Sequence, residues 1–199
     1  MFAQLDTKSV YSFMDSVVDL NSYVARAKEL GYQALGLMDR DNLYAAYHFA
    51  QLASRNGLRP LIGMEANLFY EGRKIPFRLL AKNNQGYKNL MKLATELSSG
   101  QREFTAFSDY LNAIALILPS EDWEPGMTLG SEVFIGVRPE DVGKEFDYPV
   151  VPLHTVRYFE NADRSTIQML HAISQNVSLS EASICPMTVS YTHLTLPTT

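Results

Sequence analysis

Short runs of consecutive apolar residues alternate with stretches whose apolar positions recur every three or four residues, and the alternation persists through most of the chain. Residues 34–38 (Ala-Leu-Gly-Leu-Met) and 113–118 (Ala-Ile-Ala-Leu-Ile-Leu) contain no polar side chain, the pattern of a strand buried on both faces. Further strands are predicted at 2–5, 61–68, 75–81, 133–137 and 150–153, with a turn at Glu71-Gly72. The helical period predicts a helix over 21–30, capped by Asn21 or Ser22 and stopped at Gly31. A second follows Asp41 as its cap candidate, carries Leu43, Ala46, Tyr47, Ala50 and Ala53 on one stripe, and ends at Gly57. Others are predicted at 85–99, 104–111 and 162–175, while 119–131, with its Pro, Gly, Trp123 and acids, reads as a surface loop.

Strand and helix in alternation, with buried strands of about five residues, predict a parallel α/β protein. Periodicity leaves a doubly wound sheet and a barrel equally open. The 199 residues, 46% apolar and 11% aromatic, suffice for a packed core. A net charge of -5 offers no overall attraction to a phosphate backbone. Cys185 is the single cysteine, which excludes a disulfide framework. No apolar run approaches the ~20 residues of a membrane span, and the start lacks a basic-then-apolar signal. A cytoplasmic protein without membrane contact is the expectation. From Ile184 the chain turns Thr-rich and loses all periodicity. We therefore expect a domain over 1–183 and an irregular tail over 184–199, read as a cloning or assembly scar with a native tail as the alternative.

The familiar catalytic motifs are missing. Gly126, Gly130 and Gly136 do not form G-x-G-x-x-G, and no P-loop or G-x-S-x-G elbow occurs. His48 and His171 sit inside predicted helices, where structural or surface roles are the default; His154 follows a strand, and His193 lies in the tail. Asp6, Asp15, Asp39 and Glu65 all fall at or just beyond the ends of early strands. In a parallel α/β protein those carboxyl ends are where sites form.

The motifs of four stretches narrow the reading. Residues 34–49 run Ala-Leu-Gly-Leu-Met-Asp-Arg-Asp-Asn-Leu-Tyr-Ala-Ala-Tyr-His-Phe, and 58–66 run Leu-Arg-Pro-Leu-Ile-Gly-Met-Glu-Ala. Tyr-Ser-Phe-Met-Asp stands at 11–15, and Leu-Leu-Ala-Lys-Asn-Asn-Gln-Gly-Tyr-Lys-Asn-Leu at 79–90. In order and spacing the chain resembles the N-terminal PHP (polymerase and histidinol phosphatase) domain of the bacterial family C replicative DNA polymerases. The resemblance implies a distorted seven-stranded β/α (TIM-like) barrel, incomplete at its C-terminus, because the family's domain runs past residue 183. It also implies a parent DNA-directed DNA polymerase that uses Mg²⁺ and contacts DNA through parts outside this chain. The implied partners are the rest of the polymerase chain, a proofreading exonuclease and other replisome subunits.

Active PHP domains hold up to three metal ions through about nine ligands, and the resemblance carries those positions onto this sequence. The opening His-x-His falls on Gln4 and Asp6, and the next carboxylate on Asp15. The histidine of a Thr-Asp-His motif falls on Arg40, and the following glutamate on Glu65. Two further ligands fall on Pro76 and Pro119, and a final Asp-x-His on Thr155 and Arg157. Proline has no ligand atom there, and arginine cannot be deprotonated to bind a metal. The expectation is a metal-free relic with no catalytic residue and no cofactor in this chain, in which Arg40 and Arg157 form ion pairs with Asp6, Asp15 or Glu65. The alternatives are one weakly held Mg²⁺ or Mn²⁺ on those three acids, and a metal-dependent phosphoesterase or 3′–5′ exonuclease.

Overall fold

The computed structural model of the chain describes residues 3–130, 132–141, 143–160 and 162–182. Phe2, Ser131, Cys185, His193, the boundary at Ser183 and the tail lie outside the described residues. Along the chain follow β1 (Ala3–Gln4), β2 (Asp6–Thr7), α1 (Leu20–Glu29), β3 (Ala34–Leu37), α2 (Ala46–Arg55), β4 (Arg59–Tyr70) and β5 (Arg73–Ala81). Then come α3 (Asn84–Ser98), β6 (Ile114–Pro119), β7 (Val133–Val137), β8 (Val150–Pro152), β9 (Thr155–Val156) and α4 (Asp163–Gln175). The fold class is α/β. No helix among the described residues is long and apolar enough to cross a membrane.

The chain divides into two compact units, one of Met1–Asp39, Tyr44–Leu61 and the chain from His154 onward, the other of Arg40–Leu43 and Ile62–Leu153. In the first unit β1 runs parallel to β3, with Gln4 opposite Leu35, and β2 runs parallel to β9, with Asp6 opposite Thr155. The two-residue strands β2 and β9 carry no periodic signal and escape a reading from pattern. Tyr23 of α1 stacks on Phe49 of α2 with ring centroids 5.9 Å apart. Its hydroxyl donates to the Gly36 carbonyl at 2.9 Å, so this buried polar tip is satisfied. The cap of α1 is Asp19, whose carboxylate accepts the Ser22 N–H at 2.9 Å. Asn21 and Ser22 are therefore inside the first turn, and the cap lies two to three residues before the position expected from sequence.

In the second unit β4, β5 and β6 are antiparallel, and β6, β7 and β8 are parallel. The parallel α/β architecture expected from the alternation thus includes one antiparallel stretch, β4–β5–β6. The cause is the two-residue connection Glu71-Gly72, whose positive φ values of 50° and 78° make a tight hairpin turn. Met64, Ala66 and Leu68 of β4, Ile75, Phe77 and Leu79 of β5, and Leu90, Leu93 and Leu97 of α3 share one buried core. Asn83 caps α3 by accepting the Gln85 and Gly86 N–H groups. Residues 104–110 form a 3-10 helix rather than an α-helix, and the segment after β6 includes a short 3-10 turn and a buried Leu129. Asp41 caps nothing: α2 begins only at Ala46, and Asp41 takes a left-handed φ of 54° instead. Its carboxylate accepts the Asn67 N–H and pairs with Arg102 at 2.7 Å.

Candidate functional site

The four carboxylates expected at early strand ends, Asp6, Asp15, Asp39 and Glu65, are all buried, although Asp6 opens β2 and Glu65 stands within β4. Buried carboxylates need partners, because an uncompensated charge in low dielectric is costly. Each of the four has found protein donors.

In the first unit, the Asp6 side chain is bound at both oxygens. Lys8 Nζ lies 2.7 Å from Oδ1, and Thr155 Oγ1 donates to Oδ2 at 2.7 Å. The parallel pairing of β2 with β9 sets Asp6 opposite Thr155 and so delivers that hydroxyl. Gln4 Nε2 donates to the Asp6 and His154 carbonyls at 3.0 and 2.6 Å. Arg157 Nε reaches Asp15 Oδ1 at 3.2 Å, and His171 Nε2 of α4 stands 3.4 Å from the same oxygen. His171 thus takes a structural place, while His154 contributes its backbone carbonyl. Asp39 accepts from the Ser9 N–H, Ser9 Oγ and Ser12 Oγ at 2.6–2.7 Å.

In the second unit, Glu65 is held between two guanidinium groups. Arg40 Nε lies 3.2 Å from Oε1 and Arg78 Nη2 3.4 Å from Oε2. Arg40 and Glu65 also form an isolated parallel bridge, and the Asp41 N–H donates to the Glu65 carbonyl at 2.7 Å. Pro76 sits inside β5 opposite Asn67 of β4, ahead of the β5–β6 ladder, which starts at Arg78. Its missing N–H therefore removes nothing from that ladder. The Pro76 carbonyl accepts from Arg78 Nη1 at 2.6 Å. Pro119 closes β6 opposite Gly136 of β7. Both expected arginine–acid pairings form, Arg157 with Asp15 and Arg40 with Glu65.

Lys8 and Arg78 are the residues that sequence reasoning passed over. A signal for Lys8 existed: Gln4, Asp6 and Lys8 are spaced by two, so a locally extended chain sets all three on one side. A basic residue two positions from a buried acid on that side is a ready partner.

This donor set does not suit a divalent cation. Metal ligands must be deprotonated and open on one side, whereas cationic side chains already hold Asp6, Asp15 and Glu65. Among the described residues no group of three or more His, Cys, Asp or Glu side chains is gathered to hold a metal ion. What the arrangement does chemically is neutralise buried acids from within the protein.

The family model of the PHP domain matches residues 4–179. The chain is 45% identical over 186 residues to DNA polymerase III subunit alpha of Streptococcus pyogenes serotype M1, covering 92% of this chain and 18% of that protein. It is 33% identical over 126 residues to DNA polymerase III subunit alpha of Bacillus subtilis (strain 168), covering 60% of this chain and 11% of that protein. Among solved structures, an amidohydrolase from Chromobacterium violaceum aligns with a TM-score of 0.42 at 19% identity, over 49% of this chain and 34% of that one. The chain spans less than a fifth of the length of the curated relatives it matches.

Proposed function

Because the chain belongs to the PHP domain family, we propose that it is the N-terminal PHP part of a replicative DNA-directed DNA polymerase, and that its own role is structural. The family's polymerases extend a primer by Mg²⁺-assisted phosphoryl transfer in regions outside these 199 residues. In this reading the PHP part works in the cytoplasm as a scaffold. It supports the rest of the polymerase chain and offers a surface to a proofreading exonuclease and other replisome subunits, with DNA bound by the parent chain.

The observation that carries a scaffold rather than a phosphoesterase is the state of the relic positions. Gln4, Asp6, Asp15, Arg40, Glu65, Thr155 and Arg157 all bond to protein groups, and Pro76 and Pro119 bring no ligand atom. A metal-activated water needs an open coordination position, and these contacts leave carboxylates facing guanidinium and ammonium groups instead.

Metal analysis by mass spectrometry, joined to phosphoesterase assays, tests this. The purified chain is expected to carry no stoichiometric metal and to turn over neither p-nitrophenyl phosphate nor single-stranded DNA with added Mn²⁺ or Zn²⁺. Metal-dependent turnover that Glu65→Ala abolishes would overturn the scaffold reading. For the parent, the reading frame on the source DNA should continue past Ser183 into polymerase motifs.

A further inference from the structure

Lys8 is a fully buried lysine, and such residues are rare because the ammonium group is strongly hydrated in water. Its Nζ meets oxygen partners inside the first unit, Asp6 Oδ1 at 2.7 Å and the Met38 carbonyl at 2.6 Å among them. The second oxygen of Asp6 accepts from Thr155 Oγ1. A carboxylate, a peptide carbonyl and a hydroxyl are hard oxygen donors, the kind that hold hard cations.

The backbone around this charge is equally tied. The Lys8 N–H donates to the Val156 carbonyl at 2.9 Å, and the Met38 N–H donates to the Thr7 carbonyl at 2.9 Å. Ser16 Oγ donates to the Lys8 carbonyl at 2.6 Å. One cation thus stands where β2, β9 and the end of β3 meet. An arginine would not serve equally: its planar fork is larger, while the ammonium is a compact point charge.

We propose that Lys8 is a tethered cation that takes the place of a metal ion at Asp6, so that this acid is neutralised by the chain itself. Unlike a bound metal, this counterion cannot be diluted or chelated away. The proposal rests on the metal-free reading above and adds the residue that makes it workable.

Thermal melting of the purified 199-residue chain tests it, comparing wild type, Lys8→Met and Lys8→Met with Asp6→Asn, each with millimolar Mn²⁺ or with EDTA. Removing one partner of a buried pair strands the other charge, so Lys8→Met should lower Tm by about 10 °C or more. Removing both charges should recover at least half of that loss. A Lys8→Met Tm within about 2 °C of wild type, or a double variant no more stable than the single one, would overturn the proposal. Where Lys8→Met fails to fold, the double variant decides: a folded double supports the tethered cation, and an unfolded one overturns it. A wild-type Tm that rises with Mn²⁺ and falls with EDTA would instead sink the metal-free reading, independently of the Lys8 comparison.

Discussion

Arg157 Nε lies 3.2 Å from Asp15 Oδ1, and the two side chains are only 12% and 5% exposed. The pair joins residues 142 positions apart in sequence. Because both groups are largely desolvated, removing Arg157 takes from a buried carboxylate the guanidinium that faces it. Arg157→Leu should cost about 3–5 kcal/mol, read from urea unfolding as a lower midpoint at unchanged slope. Adding Asp15→Asn should return part of that loss, since no charge is then stranded. A midpoint unmoved by Arg157→Leu would show that the contact carries no stability.

Glu65 allows an internal comparison between its two cations. The Arg78 side chain is 9% exposed and the Arg40 side chain 40% exposed. Solvent screens the second pair far more than the first. Arg78→Ala is expected to destabilise by about 3 kcal/mol, and Arg40→Ala by no more than about 1 kcal/mol. Equal losses in parallel denaturation curves would contradict this ordering.

Asp141 sets an acid limit on stability. Burial raises its pKa, but hydrogen bonds from Lys144, Ser120 and the Arg138 N–H outweigh that and bring it down from 3.8 to about 2. With the folded value depressed, the contribution is fully present above the unfolded value and is lost as pH falls through the folded one. It should amount to about 2 kcal/mol near neutrality and fade between about pH 4 and pH 2. Asp141→Asn should flatten that part of the stability–pH curve relative to wild type. Superimposable curves for the two proteins would refute the assignment.

Gly36 has no room for a side chain. A Cβ built there collides with the backbone carbonyl of Leu5, which no rotamer change relieves. Gly86, in the first turn of α3, meets the Ala113 carbonyl in the same way. Gly36→Ala and Gly86→Ala should each destabilise by about 3 kcal/mol, at the upper end of overpacking costs. Gly57→Ala has open space around its Cβ and opposes only a positive φ of 76°, so it should cost about 1 kcal/mol. Three melts in one buffer rank the sites.

Much of this molecule follows from local rules. The apolar run at 34–38 buries on both faces, the helices at 20–29 and 84–98 follow their 3.6-residue stripes, and Glu71-Gly72 turns the chain where expected. Of the four acids expected at strand ends, Asp39 lies just beyond β3, whereas Asp6 opens β2 and Glu65 stands inside β4, so the pattern located them only in part. The resemblance to PHP domains pointed to the positions of interest, and an arginine at two of them cannot be deprotonated to bind a metal. The two-residue turn at Glu71-Gly72 already implied an antiparallel β4–β5 hairpin. A period of two reports which face of a strand is buried but not the direction of a neighbour across a longer connection, so the antiparallel pairing of β5 with β6 was decided by the tertiary structure alone. Asp41 looks like a helix cap by position, yet Asn67 and Arg102, 26 and 61 residues away, claim its carboxylate. Lys8 counts as one more surface charge in the composition. Its spacing of two from Asp6 hints at the pair, but only the convergence of β2, β9 and the end of β3 removes it from water, and that convergence depends on contacts across about 150 residues.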